Sequence, residues 1–211
     1  MSTKYLVIKE KIKDFKKKIR VDGDKSISIR SLLLASQAIG VSKAKNLLKS
    51  EDVLSAIKCL RSLGIKIMFK NNTCLVEGRG INGFKFRKNI TLDAGNSGTV
   101  GRLILPLIIK TPYKIKIIGD KSLSRRDFSR VTKPLNNIGV NFFPAKKKNL
   151  PLYLKGSNFL RPINYLENLG SAQCKTSVML ACLNTPGEIK ILAKKSRNHT
   201  ELMYKNLNIP I

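Results

Sequence analysis

GDKSISIRSLLLASQAIG (residues 23–40), DAGNSGTVGRLILPLII (93–109) and GSAQCKTSVMLACLN (170–184) share one plan. In each, a polar turn rich in Gly or Ser runs directly into an apolar helical stretch. A second set follows at similar distances: EDVLSAIKCLRSLGIKI (51–67), RVTKPLNNIGVNF (130–142) and HTELMYKNLNIPI (199–211), each an amphipathic helix ending in a turn and a strand start. In the first of these, Val53, Ile57, Leu60 and Leu63 recur at helical spacing, and Gly64 stands where a left-handed residue ends a helix. Asn208 takes that place in the third, a side chain tolerated at positive φ.

Between the helices lie short alternating runs, Ile65–Phe69, Thr73–Glu77, Lys114–Ile118, Leu152–Leu154 and Glu188–Leu192, which read as strands. Asn71-Asn72 reads as a hairpin turn and Pro144–Asn149 as an exposed basic loop. The chain therefore reads as an α/β (α+β) protein of three repeats, each strand, helix, strand, helix, strand, strand, with a period of roughly 70 to 75 residues. Their bounds are about 19–90, 91–162 and 163–211. The third repeat breaks off where its last two strands are expected to begin, so the chain is expected to be part of a longer protein.

The formal charge of +28 raises the question of a nucleic-acid partner. Lysine is spread over nearly every segment, however, and the runs at 16–18 and 146–148 lack the interleaved aromatics of a single-strand-binding surface. The expectation is solvated faces, a general attraction for anions, and no nucleic-acid site. No apolar run reaches the ~18 residues of a membrane span. The N-terminal residues alternate apolar and charged, unlike a signal or transit peptide, so no membrane association and a cytoplasmic location are expected. Cys59, Cys74, Cys174 and Cys182 show no metal-ligand spacing, and His199 is the only histidine. Reduced, structural thiols and no bound metal are expected.

The starts of the three apolar helices carry the candidate chemistry. A helix N-terminus offers free amides and a positive dipole end to anions. Lys25, Ser26, Ser28 and Arg30 crowd the first, with Ser26 as a hydroxyl cap and Arg30 as a planar fork for a carboxylate or phosphate. Simple capping by Asp24 or Ser26, with Lys25 and Arg30 facing solvent, remains an equally plain reading of that turn alone. Gly95–Thr99 form the second turn, followed by Pro106, which is expected to kink or end the helix. After the next strand come Lys121, Arg125 and Arg126. Ser171, Gln173 and Lys175 begin the third helix, with Ser196, Arg197 and His199 beyond a further strand.

These residues carry a family resemblance. GDKSISIR, LDAGNSGTVGRL, GDKSLSRRDFSRVTKPLNNIG, GSAQCKTSVMLACL and SRNHTE resemble, in order, five motifs of the 5-enolpyruvylshikimate-3-phosphate synthase family. The resemblance implies an enolpyruvyl transferase-like lobe over residues 19–211, with residues 1–18 belonging to a second lobe that is otherwise absent. It implies transfer of the enolpyruvyl group of phosphoenolpyruvate to shikimate 3-phosphate, by a tetrahedral intermediate that loses phosphate. No cofactor is needed, and the full-length family member is expected to be a monomer. The chain then corresponds to the N-terminal half. The acid/base carboxylates are expected in the other half, so no catalytic residue is assigned here and little activity is expected of the chain alone.

By the same resemblance, Lys25 contacts phosphoenolpyruvate near the shikimate ring, and Ser26 and Arg30 hold the shikimate carboxylate. Gly98 and Arg126 bind phosphoenolpyruvate. Ser171 and Ser196 grip the 3-phosphate, and Gln173 touches both substrates. Packing and ligand contact both remain open for His199. Asp127 stands where the family usually has proline, which is expected to loosen the loop presenting Arg126. Asn198 replaces an aspartate and Ala172 lacks a hydroxyl found in other branches. Two rival readings are a basic anion-binding module without catalysis, and the sister enzyme that transfers enolpyruvate to UDP-N-acetylglucosamine. The latter lacks the Lys25, Ser26, Arg30 clamp.

Overall fold

The computed structural model describes residues 6, 7, 9–11, 14, 16–71 and 73–211. Asn72 and several residues of the N-terminal alternation lie outside the described residues. Six helices and nine strands are formed among the rest. The first group is α1 (Lys25–Gln37), β1 (Ile39–Lys45), α2 (Glu51–Ser62), β2 (Lys66–Lys70) and β3 (Thr73–Arg79). The second is β4 (Thr91–Asp93), α3 (Gly98–Leu103), β5 (Lys114–Ile118), α4 (Ser129–Ile138), β6 (Asn141–Phe143) and β7 (Leu152–Lys155). The third is β8 (Asn164–Glu167), α5 (Ala172–Cys182), β9 (Lys190–Ala193) and α6 (His199–Asn206).

Each group builds its own sheet. The first has order β1-β3-β2 and is antiparallel. The second has order β4-β5-β7-β6, with β4 parallel to β5 and the remaining pairs antiparallel. In the third, β8 runs parallel to β9. The repeated plan extends to the helix ends. After α2, α4 and α6 the chain reverses at Gly64 (φ 85°), Gly139 (φ 120°) and Asn208 (φ 54°). In all three the next amide reaches back five residues, Ile65 N to Leu60 O, Val140 N to Leu135 O and Ile209 N to Tyr204 O, at 2.9 to 3.0 Å. This is the αL-type helix ending that the glycines and the asparagine at these positions announce.

The leading strand expected for the first repeat is not formed. Residues 16–24 carry no strand, and Ile19 and Val21 are exposed. Ile39 and Val41 of β1 are themselves 93% and 60% exposed, apolar surface that no strand covers among the described residues.

Helices α1, α3 and α5 form the centre of the core. From Cys174 to Ala181 every residue of α5 is buried, and α1 buries eight of its residues, Ser28, Arg30, Ser36 and Gln37 among them. A helix covered on all sides shows little amphipathic pattern, which is why these sequences read as apolar throughout, whereas α2 and α4 bury one face. Pro106 ends α3 early, as its missing N–H requires, and a 3-10 turn over Leu105–Ile108 continues its path. Among the described residues no helix is long and apolar enough to cross a membrane.

All four cysteines are free, three of them buried. Burial, with the nearby Asp93 charge, pushes the Cys59 thiol up to about 12, and burial pushes Cys182 up to about 11. At pH 8 a thiol at about 12 is ionised to about one part in 10⁴, and only the thiolate reacts readily. Iodoacetamide at that pH is therefore expected to spare Cys59 in the native protein and label it fully only after unfolding in guanidinium. Rapid native labelling of Cys59, read by peptide mass spectrometry, would contradict this packing.

Candidate anion-binding site at three helix N-termini

Three helices bring their starts to one place because their early turns are tied to each other. The Arg30 guanidinium, six residues into α1, donates from Nη2 to Thr176 Oγ1 of α5 at 3.1 Å and from Nε to Thr200 Oγ1 of α6 at 2.9 Å. The two threonine hydroxyls share a hydrogen bond of 2.7 Å. Gln173 and Thr99, each the second residue of its helix, are joined by a 3.0 Å hydrogen bond from Gln173 Nε2. Helix α5 also packs along the 3-10 turn that follows α3, so the two run in the same direction. A residue advances ~1.5 Å along a helix, so Lys25 lies about 7 to 8 Å above the level of Arg30.

The turns are locally specified. Asp24 Oδ1 accepts from Ile27 N at 2.7 Å and caps α1, so of the two caps the sequence offered, Asp24 and Ser26, it is Asp24 that serves. The Asp24 carboxylate reaches that amide in the usual N-cap geometry, and this leaves the half-exposed Ser26 hydroxyl without a capping task. Ser97 Oγ caps α3 and Ser171 Oγ caps α5, at 3.2 and 3.3 Å. The Ser171 amide is already committed to Glu167 Oε2 at 2.7 Å, so its hydroxyl proton is what remains for a ligand.

Lys25 is exposed and paired with Asp52 at 3.2 Å, a surface pair worth about 0 to 1 kcal/mol and readily exchanged for a ligand. Arg30 differs. It is 4% exposed, its third hydrogen bond goes to the Ser26 carbonyl, and no carboxylate lies within 4.0 Å among the described residues. Desolvation lowers its pKa, partly offset by the charges of Asp24 and Glu201. Lys175, also buried, is paired with Glu201. Ser196 Oγ and His199 Nδ1 are shielded from solvent and have no hydrogen-bond partner among the described residues.

Around Gly98 the geometry is tighter. A Cβ there would lie 2.9 Å from Arg126 Nη1 and 3.0 Å from Arg102 Nη1, so the absent side chain admits two guanidinium groups beside the start of α3. The loop presenting Arg126 is held at both ends. Asp120 accepts from Leu123 N and Asn96 Nδ2, and those hydrogen bonds hold its carboxyl below the usual range. Asp127, expected to loosen this loop, instead pins it. Its Oδ1 accepts from Ser129 N at 2.6 Å and its carbonyl from Arg102 Nη2 at 3.3 Å. A side-chain acceptor for the amide two residues on supplies the stiffness that proline supplies by its ring.

Arg102 carries no role in the sequence reading. It donates from Nη1 to Gln173 Oε1 at 2.9 Å and lies 5.2 Å from the centre of the Phe128 ring. Because arginine only donates, Gln173 Oε1 must face it, and Nε2, with one hydrogen directed to Thr99, keeps one donor free. The available signal was a lone cation in the apolar run 99–109, a pattern shared with Arg30 and Lys175. Thr176 and Thr200 carried no such signal. A separate cavity of about 990 Å³, lined by Met179, Leu183, Ile191 and Tyr204, lies between α5, α6 and β9; of the charged residues in its lining, Lys175 and Glu201 are paired to each other and Glu188 lies near Lys190.

The model of the EPSP synthase (3-phosphoshikimate 1-carboxyvinyltransferase) family matches residues 9–211. The chain belongs to this family. It is 42% identical over 187 residues to the 3-phosphoshikimate 1-carboxyvinyltransferases of Streptococcus pyogenes serotypes M4 and M1, a match covering 88% of this chain and 44% or 43% of theirs. The EPSP synthase of Acinetobacter baumannii, solved at 2.37 Å, superposes with a TM-score of 0.83 at 33% identity, over 89% of this chain and 42% of that one. The chain thus spans less than half the length of the relatives it matches, and its α/β architecture is that of one lobe of the synthase fold.

The Arg102–Gln173 contact has a measurable consequence. Arg102→Met leaves the Gln173 carbonyl oxygen and two main-chain carbonyls without their donor, a cost of about 1 to 3 kcal/mol in urea unfolding. The double variant Arg102→Met with Gln173→Leu is expected to lose less than the sum of the single losses. Additivity within about 0.3 kcal/mol would show that the two side chains do not interact.

Proposed function

We propose that this chain supplies the shikimate 3-phosphate site, and part of the phosphoenolpyruvate site, of a 3-phosphoshikimate 1-carboxyvinyltransferase. In this reading residues 19–211 form one substrate-binding lobe of three repeats (19–90, 91–162, 163–211), residues 1–18 belong with a second lobe, and the protein works in the cytoplasm. The observation that carries it is Arg30: a buried guanidinium supported by two threonine hydroxyls and a carbonyl, with no carboxylate in contact. A buried cation with no carboxylate in contact is costly. Asp24 and Glu201 offset this only from a distance, and a ligand carboxylate arriving at the level of the helix starts would offset it further.

Around it the assignments are chemically consistent. Ser26 is free to share the carboxylate with Arg30, and Lys25 can leave Asp52 for the ligand. Ser171 and the unpartnered Ser196 hydroxyl offer donors to the 3-phosphate. Gln173 presents its remaining N–H to an oxygen of either substrate. Arg126, exposed beside Gly98, offers a guanidinium to phosphoenolpyruvate. The reaction protonates the methylene carbon of phosphoenolpyruvate while a hydroxyl attacks its neighbour. None of the assigned residues is an acid/base carboxylate, so these residues bind and orient.

Calorimetric titration of the 211-residue chain with shikimate 3-phosphate tests this, together with a phosphate-release assay after adding phosphoenolpyruvate. Weak binding with essentially no phosphate release is expected. Turnover on the order of 1 to 1,000 per second would place the whole catalytic apparatus within these residues, and absence of binding would refute the site. Arg30→Lys is expected to weaken binding by about 1 to 3 kcal/mol, since an ammonium cannot make the planar paired contact. Thr176→Val serves as the control for loss of the buried network. Equal binding by wild type and Arg30→Lys would reduce Arg30 to a strut between α1, α5 and α6.

A further inference from the structure

Glu167, the last residue of β8, is the one buried carboxylate among the described residues, 3% exposed. Its Oε2 accepts from Ser171 N at 2.7 Å. Its Oε1 accepts from Arg130 Nη2, in the first turn of α4, at 2.8 Å, and more weakly from Leu169 N at 3.4 Å. Its main-chain carbonyl accepts from Lys194 N at 2.9 Å, two residues before Ser196. One residue thus joins α4, the turn that begins α5 and the segment leading to Ser196.

Two amides of that turn, Leu169 N and Ser171 N, meet on one carboxylate. Converging amides ahead of a helix are what a free anion ordinarily occupies, and here the protein fills the place itself. A ligand phosphate at this point therefore meets the Ser171 hydroxyl rather than its amide. The carboxylate stands close behind that hydroxyl and, uncompensated, would repel a phosphate. Arg130 balances it at contact distance. A buried ion pair is often no more stabilising than apolar residues of like volume, so the contribution of this pair lies in the positions it fixes and the charge it cancels.

We infer, on the shikimate 3-phosphate reading of this site given above, that Glu167 and Arg130 are positioning residues for the 3-phosphate. The carboxylate holds the Ser171 hydroxyl in place at the start of α5. The guanidinium anchors that carboxylate to α4 and neutralises it. Neither residue touches the ligand.

Calorimetric titration of the 211-residue chain with shikimate 3-phosphate tests this through a double-variant cycle. Glu167→Gln is nearly isosteric, but its amide group cannot accept from both Arg130 and Ser171 N, so one hydrogen bond is lost whichever way it turns. Binding is expected to weaken about tenfold in Glu167→Gln and in Ser171→Ala, and in the double variant by little more than in Ser171→Ala alone. Arg130→Met leaves the carboxylate unbalanced and is expected to lose more than Glu167→Gln. Arg130→Lys keeps the charge and a donor, and is expected to stay within about threefold of the wild type. The Arg130 side chain is 43% exposed, so these two variants decide the matter even where substitution of Glu167 unfolds the chain. Wild-type or tighter binding by Glu167→Gln or Arg130→Met would overturn the inference. So would losses that multiply in the double variant, or equal losses in Arg130→Met and Arg130→Lys, either of which would reduce the pair to a strut. A wild-type chain that fails to bind shikimate 3-phosphate would refute the site itself, and this role with it.

Discussion

A helix buried on every side has no solvent-facing flank, so each polar group along it needs a partner inside the protein and the solvated ones stand at its ends. That constraint acts three times here, on α1, α3 and α5, and the three helices lie together at the centre of the core. With their starts level, the polar turn preceding each helix falls beside the other two. Amides and caps that would be ordinary singly then become one surface facing one direction. The surrounding sheets serve this arrangement by covering the outer sides of the helices, and α2, α4 and α6 end in the same left-handed turn because each must return the chain to the next strand or segment.

Three cations enter this buried zone, and each is accommodated differently. Lys175 has a carboxylate, Glu201. Arg102 has carbonyls, the Gln173 side chain and the face of Phe128. Arg30 has hydroxyls and a carbonyl, all neutral. Neutral oxygens satisfy donors without cancelling charge, so Arg30 keeps a field directed at whatever approaches the helix starts. Pairing it with a carboxylate of the protein would have stabilised the empty fold more and left less for an anion. The residues that position Arg30, Thr176 and Thr200, are as much part of the candidate site as the arginine itself.

What the sequence disclosed follows from how local each determinant is. The glycines and asparagine at 64, 139 and 208 act through their own backbone and were legible at once, as was the interruption at Pro106. The cap of α1 stayed open between two residues in the sequence, because Asp24 and Ser26 both have suitable oxygens and only geometry chooses between them. The leading strand expected of the first repeat is not formed, which no local pattern reveals. Arg102 with Gln173, and Arg30 with Thr176 and Thr200, join residues 71, 146 and 170 positions apart. A threonine on a buried helix looks like any small core residue until its partner is known.

The charge of the whole chain bears on the site less than its size suggests. Most lysines are exposed and scattered, with Lys175 the only one buried among the described residues. At physiological ionic strength exposed charges are screened over ~8 Å, so distant lysines raise the general attraction for anions without selecting among them. Selection falls to groups within contact range of the helix starts, and there the composition changes from lysine to arginine: Arg30, Arg102 and Arg126, with Lys25 at the rim. A lysine acts as a point charge, whereas a guanidinium fixes the plane and direction of what it holds. In the proposed site the diffuse charge would bring anions near, and the arginines at these helix starts would determine which of them are seated.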